Sequence, residues 1–207
     1  MPFPFIILKF MDEYKKVEEW YSENADNYAK KAAVLLRKQL KYFISLLPKN
    51  GMILDVGCGP GHDTEYFAKE GFEAIGIDFS PGMIAYAKKN RTAGVFKKMN
   101  MLEIDNFYAK NYFDGIWSSS SITHLKKADI PRALNQIKKV ILPGCPIGII
   151  LKKRMCRKEK IRKIIFNEFY KKEILEYAKK SELQLVKIDE FEALGISWFF
   201  VHLMKKM

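Results

Sequence analysis

The chain is poor in cysteine. Among 207 residues there are three, Cys58, Cys145 and Cys156, far apart and without a CxxC pair. A disulfide framework needs an even, patterned set, and a zinc site needs paired ligands, so neither is indicated. No metal is expected, and a reducing cytoplasm is the default compartment. Long apolar runs are missing too. The start, MPFPFIILKFM, is far shorter than the roughly 20 residues of a spanning helix. It also lacks the basic stretch and small-residue cleavage site of a signal peptide. No membrane partner is expected. These residues read as a short strand or tail on the domain surface. Met11 precedes a good helix start, which leaves open whether residues 1–10 belong to the native chain. There is no low-complexity segment and no repeat at a solenoid period.

Acidic residues are fewer than basic ones, 24 against 36, for a formal net charge of +12. Such an excess implies an anionic partner or simply a lysine-rich surface. The lysines are spread along the chain, which favours the surface. The length suits one domain over residues 1–207 with a sizeable core. The pattern assigns no oligomeric state.

The chain divides into a helical cap over residues 12–47 and a core over 48–207. Asp12–Ser22 has helical spacing, with Tyr14, Val17 and Tyr21 on one stripe and Trp20 beside it. A polar break, Glu23–Asn27, follows. A longer helix is expected over Tyr28–Leu47, with Ala33, Leu36, Leu40, Phe43 and Leu47 on one face. Pro48-Lys49-Asn50-Gly51 stops it. Short apolar runs then alternate with helical ones. Strands are expected at Met52–Val56, Glu73–Phe79, about Gly94–Met99, Phe113–Ser119 and Ile147–Leu151. Helices are expected after the first glycine loop, from Ser80-Pro81 to about Asn90, over Ile130–Val140 and over Tyr170–Ser181. Two last strands, Leu183–Ile188 and Ser197–Met204, joined through Glu190–Gly195, read as an antiparallel pair.

This alternation predicts an α/β fold. The expectation is a Rossmann-like three-layer sandwich around a mostly parallel seven-stranded sheet, with an antiparallel C-terminal pair. The N-terminal helices cover the ligand edge. Ligands of such sheets bind beyond the carboxyl ends of the strands, beside the first. The glycine loop, Asp78, Asn100 and the Ser118–Ser121 run all follow strand ends, so they belong to one edge.

The loop after the first strand is Gly57-Cys58-Gly59-Pro60-Gly61, preceded by Asp55. Its glycines allow a sharp turn and close approach of a ligand to backbone amides. The spacing is GxGxG, not the GxGxxG of a dinucleotide site. A carboxylate as near as Asp55 would repel a pyrophosphate and suits an ammonium or sulfonium. No Walker lysine follows, which removes a phosphate-cradling P-loop.

ILDVGCGPGHDT resembles the first motif of class I S-adenosylmethionine-dependent methyltransferases. AIGIDFSPGMIAYAKK resembles their second. FDGIWSSSSITHL is similar to the segment around their fourth strand, and LPGCPIGIIL to the segment entering the fifth. The matches come in the family's order over about Tyr28–Leu151. The resemblance implies that S-adenosylmethionine is the cofactor. It implies that the Gly57–Gly61 backbone, with Gly57, Cys58, Gly59 and Gly61, wraps the amino-acid and sugar parts, with Cys58 a small filler rather than a nucleophile. Asp55 would sit under the methionine ammonium, and Ser118 would offer its backbone to the same group. Asp78 would take both ribose hydroxyls, with Ser80 beside it at the helix start. Phe79 and Met83 would flank the adenine. Family members often place an Asp after the third strand against the adenine amino group. Here Asn100 stands there, followed by Met101 and Leu102, and its carbonyl oxygen can accept that bond. Tyr28 lies where related enzymes place a tyrosine over the methionine tail.

Methyl transfer from a sulfonium needs position and desolvation first, and a base only where the nucleophile must lose a proton. His124, just past the fourth strand, is the candidate base. His62 reads as solvent-facing, and His202 lies in the last strand, far from the site. The acceptor signals are negative. No [DNS]PP[YFW] follows the fourth strand, and no Pro-Cys nucleophile appears there. A small-molecule acceptor is the expectation. An RNA methyltransferase using the basic run KKRMCRKEKIRK, residues 152–163, is the alternative. A non-catalytic S-adenosylmethionine-binding protein is the second alternative.

Overall fold

The computed structural model describes residues 4–31, 36–154 and 164–207. Five strands, β1 (Met52–Val56), β2 (Glu73–Asp78), β3 (Val95–Lys98), β4 (Gly115–Ser119) and β5 (Pro146–Lys152), run parallel. The hairpin of β6 (Leu183–Ala193) and β7 (Ile196–Lys205) adds antiparallel through β7. The sheet order is β3-β2-β1-β4-β5-β7-β6. The order reverses between β1 and β4, so a crevice opens at the carboxyl ends of those two strands.

The period of two along each strand sorts the core. Leu54, Val56, Ile116, Ile147 and Ile149 lie on one face, against α6 (Ile130–Val140) and α7 (Lys171–Lys180). Ile53, Trp117, Ile150 and Phe200 lie on the other, with Phe43 of α3 (Arg37–Ile44) and Phe67 of α4 (His62–Lys69). A smaller cluster of Cys58, Ala87 and Phe96 sits under α5 (Pro81–Asn90). Ser80 caps α5 by accepting from the Met83 amide at 3.2 Å, with Pro81 at its first position.

The N-terminal third departs from the expected pattern. A helix, α1 (Pro4–Glu23), begins where a strand or tail was expected. Proline at its first position costs nothing there, because that amide has no helical partner. The single helix expected over Tyr28–Leu47 is two, α2 (Ala25–Lys31) and α3, with residues 32–35 outside those described. Leu36, before α3, has φ −79° and ψ 62°, which no straight helix passes through. The two helices serve different neighbours. α3 buries Leu40 and Phe43 under the sheet, while α2 lies with α1 over α5. The last strands are longer than expected. Leu194 and Gly195, both with positive φ, make a tight two-residue turn.

Candidate functional site

A solvent-connected cavity of ≈ 770 Å³ lies in the crevice at the β1/β4 switch. Its floor is the glycine loop and the end of β2: Gly57, Gly59, Ile77, Asp78 and Phe79. One wall is the stretch after β3, Met99 to Leu102. The other is the loop after β4, with Ser119, Ser120, Ser121, His124 and Leu125. Tyr14 and Tyr21 of α1 and Tyr28 of α2 form the roof.

The loop folds back onto β2, since the Gly57 and Cys58 amides both donate to the Ile77 carbonyl, at 2.8 and 2.9 Å. The glycines have different jobs. At Gly57, φ is +74° and a Cβ would stand 2.1 Å from that of Ser121, so the missing side chain admits protein. At Gly59, φ is +51° and a Cβ would meet nothing within 4 Å, so the missing side chain leaves open space on the cavity. Ser121 Oγ donates to the Val56 carbonyl at 2.7 Å and lies 2.6 Å from Ser118 Oγ. That ties the loops after β1 and β4 together.

Of the residues expected from the sequence, Tyr28, Gly57, Gly59, Asp78, Phe79, Asn100, Met101, Leu102 and His124 line the cavity. Asp55, Cys58, Gly61, Ser80, Met83 and Ser118 stand behind its wall. Gly61 precedes α4 and packs against Phe96. Asn100 Oδ1 accepts from the Leu102 amide at 3.0 Å, so it first of all caps the turn it begins. His62, expected in solvent, instead donates from Nε2 to the Ala29 carbonyl at 3.2 Å. It joins α4 to α2, because the cap folds down onto the loop. His202 lies outside the cavity, 3.2 Å from the Tyr42 hydroxyl. Residues 155–163 of the basic run, Cys156 among them, lie outside the described residues.

Three carboxylates gather under the loop. Asp78 is held at both oxygens: Gly59 N donates to Oδ2 at 3.0 Å and Ser80 N to Oδ1 at 2.8 Å. Burial nonetheless pushes its pKa up to about 6, against the lowering by those amides. Asp63 accepts from Trp117 Nε1 at 2.8 Å, and burial raises it to about 6 as well. Asp55 accepts from Thr64 Oγ1 at 2.6 Å. Burial, then the charge of Asp63, holds it well above the usual carboxylate range. Asp63 and Thr64 escaped the sequence reading, although both stand in the helix start of the first motif.

The roof residues Tyr14 and Tyr21 were also missed as site residues. Tyr14, Tyr21 and Tyr28 recur every seven positions, a spacing that keeps one helical face, and this was the available signal. Tyr14 donates its hydroxyl to Asp129 Oδ2 and accepts from the Lys126 amide at 3.0 Å. Burial and the Asp129 bond raise its pKa. The Tyr21 hydroxyl lies 2.7 Å from His124 Nε2, and His124 Nδ1 donates to the Ile165 carbonyl at 2.8 Å. The Tyr21 ring meets His124 and Tyr28 edge-on, at 5.0 and 5.1 Å. Ser22 Oγ lies 2.9 Å from Ser80 Oγ, so α1 is bound on both sides of the crevice.

Among the described residues no group of three or more His, Cys, Asp or Glu could hold a metal ion. No helix among them is long and apolar enough to cross a membrane.

Residues 53–144 match the family model described as a methyltransferase domain. The putative methyltransferase YqeM of Bacillus subtilis is 32% identical over 116 residues, 54% of this chain and 45% of that protein. Demethylmenaquinone methyltransferase of Symbiobacterium thermophilum is 33% identical over 100 residues, 44% of this chain and 39% of that protein. The matched stretch thus spans less than half of each relative. Among solved structures, the Burkholderia thailandensis 1,6-didemethyltoxoflavin-N1-methyltransferase, with bound 1,6-didemethyltoxoflavin and S-adenosylhomocysteine, is similar in fold. Its TM-score is 0.78 at 16% identity, covering 95% of this chain and 90% of that one. In its residues 53–144 and in its fold, the chain is similar to S-adenosylmethionine-dependent methyltransferases.

Proposed function

We propose that this protein transfers a methyl group from S-adenosylmethionine to a small, uncharged acceptor. One observation carries the reading. At the switch point, a carboxylate pinned by two backbone amides faces a cavity beside a glycine whose Cβ position is open space.

The residues fit the cofactor. Each Asp78 oxygen accepts one amide and keeps a lone pair for a hydroxyl donor, which suits a ribose diol. Phe79, Met101 and Leu102 offer apolar surface for an adenine, and Asn100 Oδ1 retains a second lone pair beside them. Gly59 would let the amino-acid end lie against the backbone. Asp63, whose pKa of about 6 leaves it ionised at neutral pH, adds negative potential behind the loop that favours a cationic ligand. When bound, S-adenosylmethionine supplies a methyl group on a sulfonium, open to in-line displacement.

The chain's own task is position, water exclusion and proton removal. The tyrosine roof covers part of the crevice from above and narrows the access of water to it. A carbonyl only accepts, so His124 carries its proton on Nδ1 and presents the Nε2 lone pair to Tyr21. Tyr21 can then take a proton from an acceptor O–H or N–H while passing its own to His124 Nε2, leaving an imidazolium. Among the described residues no lysine or arginine lines the cavity, which supports an uncharged acceptor. Two similar proteins are named for ring compounds, demethylmenaquinone and 1,6-didemethyltoxoflavin, and others for malonyl-[acyl-carrier protein].

The test is titration with S-adenosylhomocysteine, then transfer of labelled methyl from S-adenosylmethionine into a metabolite extract and into bulk tRNA. Label in small molecules supports the reading. Label in tRNA alone overturns the acceptor class, binding without any transfer overturns the enzyme, and absent binding overturns the cofactor.

A further inference from the structure

We propose that Asn167 is a positioning residue that fixes the ring and tautomer of His124. The inference rests on the reading of His124 as the proton acceptor. Its structural basis is a staple between two loops. His124 ends a short 3-10 turn, Ile122–His124, after β4. Residues 164–169, which lead into α7, run alongside it. The Asn167 amide donates to the Thr123 carbonyl at 2.7 Å. Its side-chain Nδ2 donates to the carbonyls of Thr123 at 3.2 Å and Leu125 at 2.5 Å. The carbonyls it grips therefore flank His124 on both sides in the chain. Both partners only accept, so the amide must turn its nitrogen toward them.

Two residues back, the Ile165 carbonyl takes the His124 Nδ1 proton at 2.8 Å. Phe166 meets the imidazole edge-on at 5.2 Å, as the Tyr21 ring does at 5.0 Å. The far end of the segment is anchored to β5, where Phe169 N donates to the Lys152 carbonyl at 2.9 Å and Arg154 N to that of Phe169 at 2.8 Å. Asn167 stands between this anchor and Ile165. It transmits the position of the sheet to the carbonyl that sets the histidine tautomer. A base whose second nitrogen is held in this way presents its free lone pair in one direction only.

The tautomer can be read without an acceptor. The chain has three histidines, so 15N labelling at histidine gives an assignable spectrum once His62 and His202 are replaced singly. In the full chain saturated with S-adenosylhomocysteine, neutral His124 should show a protonated Nδ1 and a bare Nε2. A protonated Nε2 in the wild type overturns the proposal outright. In Asn167→Ala, which keeps the backbone bond to Thr123, the single-tautomer signature should give way to a mixture and the His124 titration should shift. S-adenosylhomocysteine affinity should stay unchanged. Asn167→Gln, which keeps an amide donor, should move the signature back toward wild type. An unchanged His124 spectrum in Asn167→Ala overturns the proposal. Should the alanine variant fail to fold, the wild-type tautomer and the glutamine variant decide. These readouts do not depend on methyl transfer, so an inactive protein with the expected tautomer would sink the proposed function and leave the positioning role standing.

Discussion

The Thr64 hydroxyl donates to the Asp55 carboxylate across 2.6 Å, and both residues are buried. Asp55 shares the strand face of Ile53, which turns it toward α4 and behind the cavity wall. The bond is what makes a buried carboxylate tolerable at that place. Thr64→Val keeps the shape and removes the donor, which should cost about 1–3 kcal/mol. The sign with pH follows from the direction of the shift. Burial raises the folded pKa of Asp55, so the fold is penalised as pH rises and the group ionises. Without Thr64 that penalty grows. The loss in urea denaturation should therefore be larger at pH 8 than at acid pH, and equal losses at both would refute the account.

If Asp78 holds the ribose as proposed, cofactor binding should be linked to protons. The folded pKa of Asp78 lies at about 6, above the unfolded 3.8, so apo-protein stability falls as pH rises between those values. A ribose diol donates to the ionised form and should lower the pKa in the complex. S-adenosylhomocysteine affinity should be flat above pH 6 and weaken by up to about tenfold per unit below it. The ligand-induced rise in Tm should be larger at pH 7.5 than at 5.5. Asp78→Ala should weaken binding by more than about tenfold, the loss of a charge-assisted pair. Calorimetry showing a pH-independent affinity in the wild type would remove Asp78 from the ligand.

The two cavity glycines separate fold from function. Gly57→Ala would put its Cβ 2.1 Å from that of Ser121 and break the junction of the β1 and β4 loops. It should not give a stable protein. Gly59→Ala meets nothing within 4 Å and suffers only the left-handed φ of +51°, a cost of roughly 1–2 kcal/mol. It should fold, with a modestly lower Tm, and lose S-adenosylhomocysteine binding. A Gly59→Ala protein that binds normally would mean the open space is not the ligand's.

What could be read in advance was local. The glycine loop, Asp78 at a strand end and the Ser80-Pro81 helix start each lie within a few residues of the feature that gives them meaning. The α/β alternation is local in the same sense. That the N-terminal helices cover the ligand edge was legible, but not which side chains face the cavity, because Tyr14 and Tyr21 acquire their partners, Asp129 and His124, 115 and 103 residues away. Asp55 illustrates the same limit at short range. A carboxylate before a glycine loop suits a cationic ligand. Which way it points depends on Thr64, and only the packing of α4 on β1 brings that hydroxyl to it. The break at Leu36 also has no local signal. It follows from α2 and α3 serving different surfaces.

The Tyr21–His124 pair should behave as one unit. Tyr21→Phe keeps the ring that packs on Tyr28 and His124 and removes only the hydroxyl between Nε2 and the cavity. His124→Ala removes the proposed proton acceptor itself. If the acceptor loses a proton during attack, each change should lower turnover by about 10²-fold or more. The double variant should be little worse than either single one, since residues acting in series are not additive. S-adenosylhomocysteine affinity should barely change in any of them, because neither side chain is assigned to the cofactor. The two substitutions also differ in pH response. With His124 intact, turnover should fall at acid pH as the imidazole protonates and Nε2 ceases to accept. In His124→Ala, at saturating S-adenosylmethionine, that acid limb should be absent. Full turnover in Tyr21→Phe with an unchanged pH profile would leave His124 a packing residue and the tyrosine a lid.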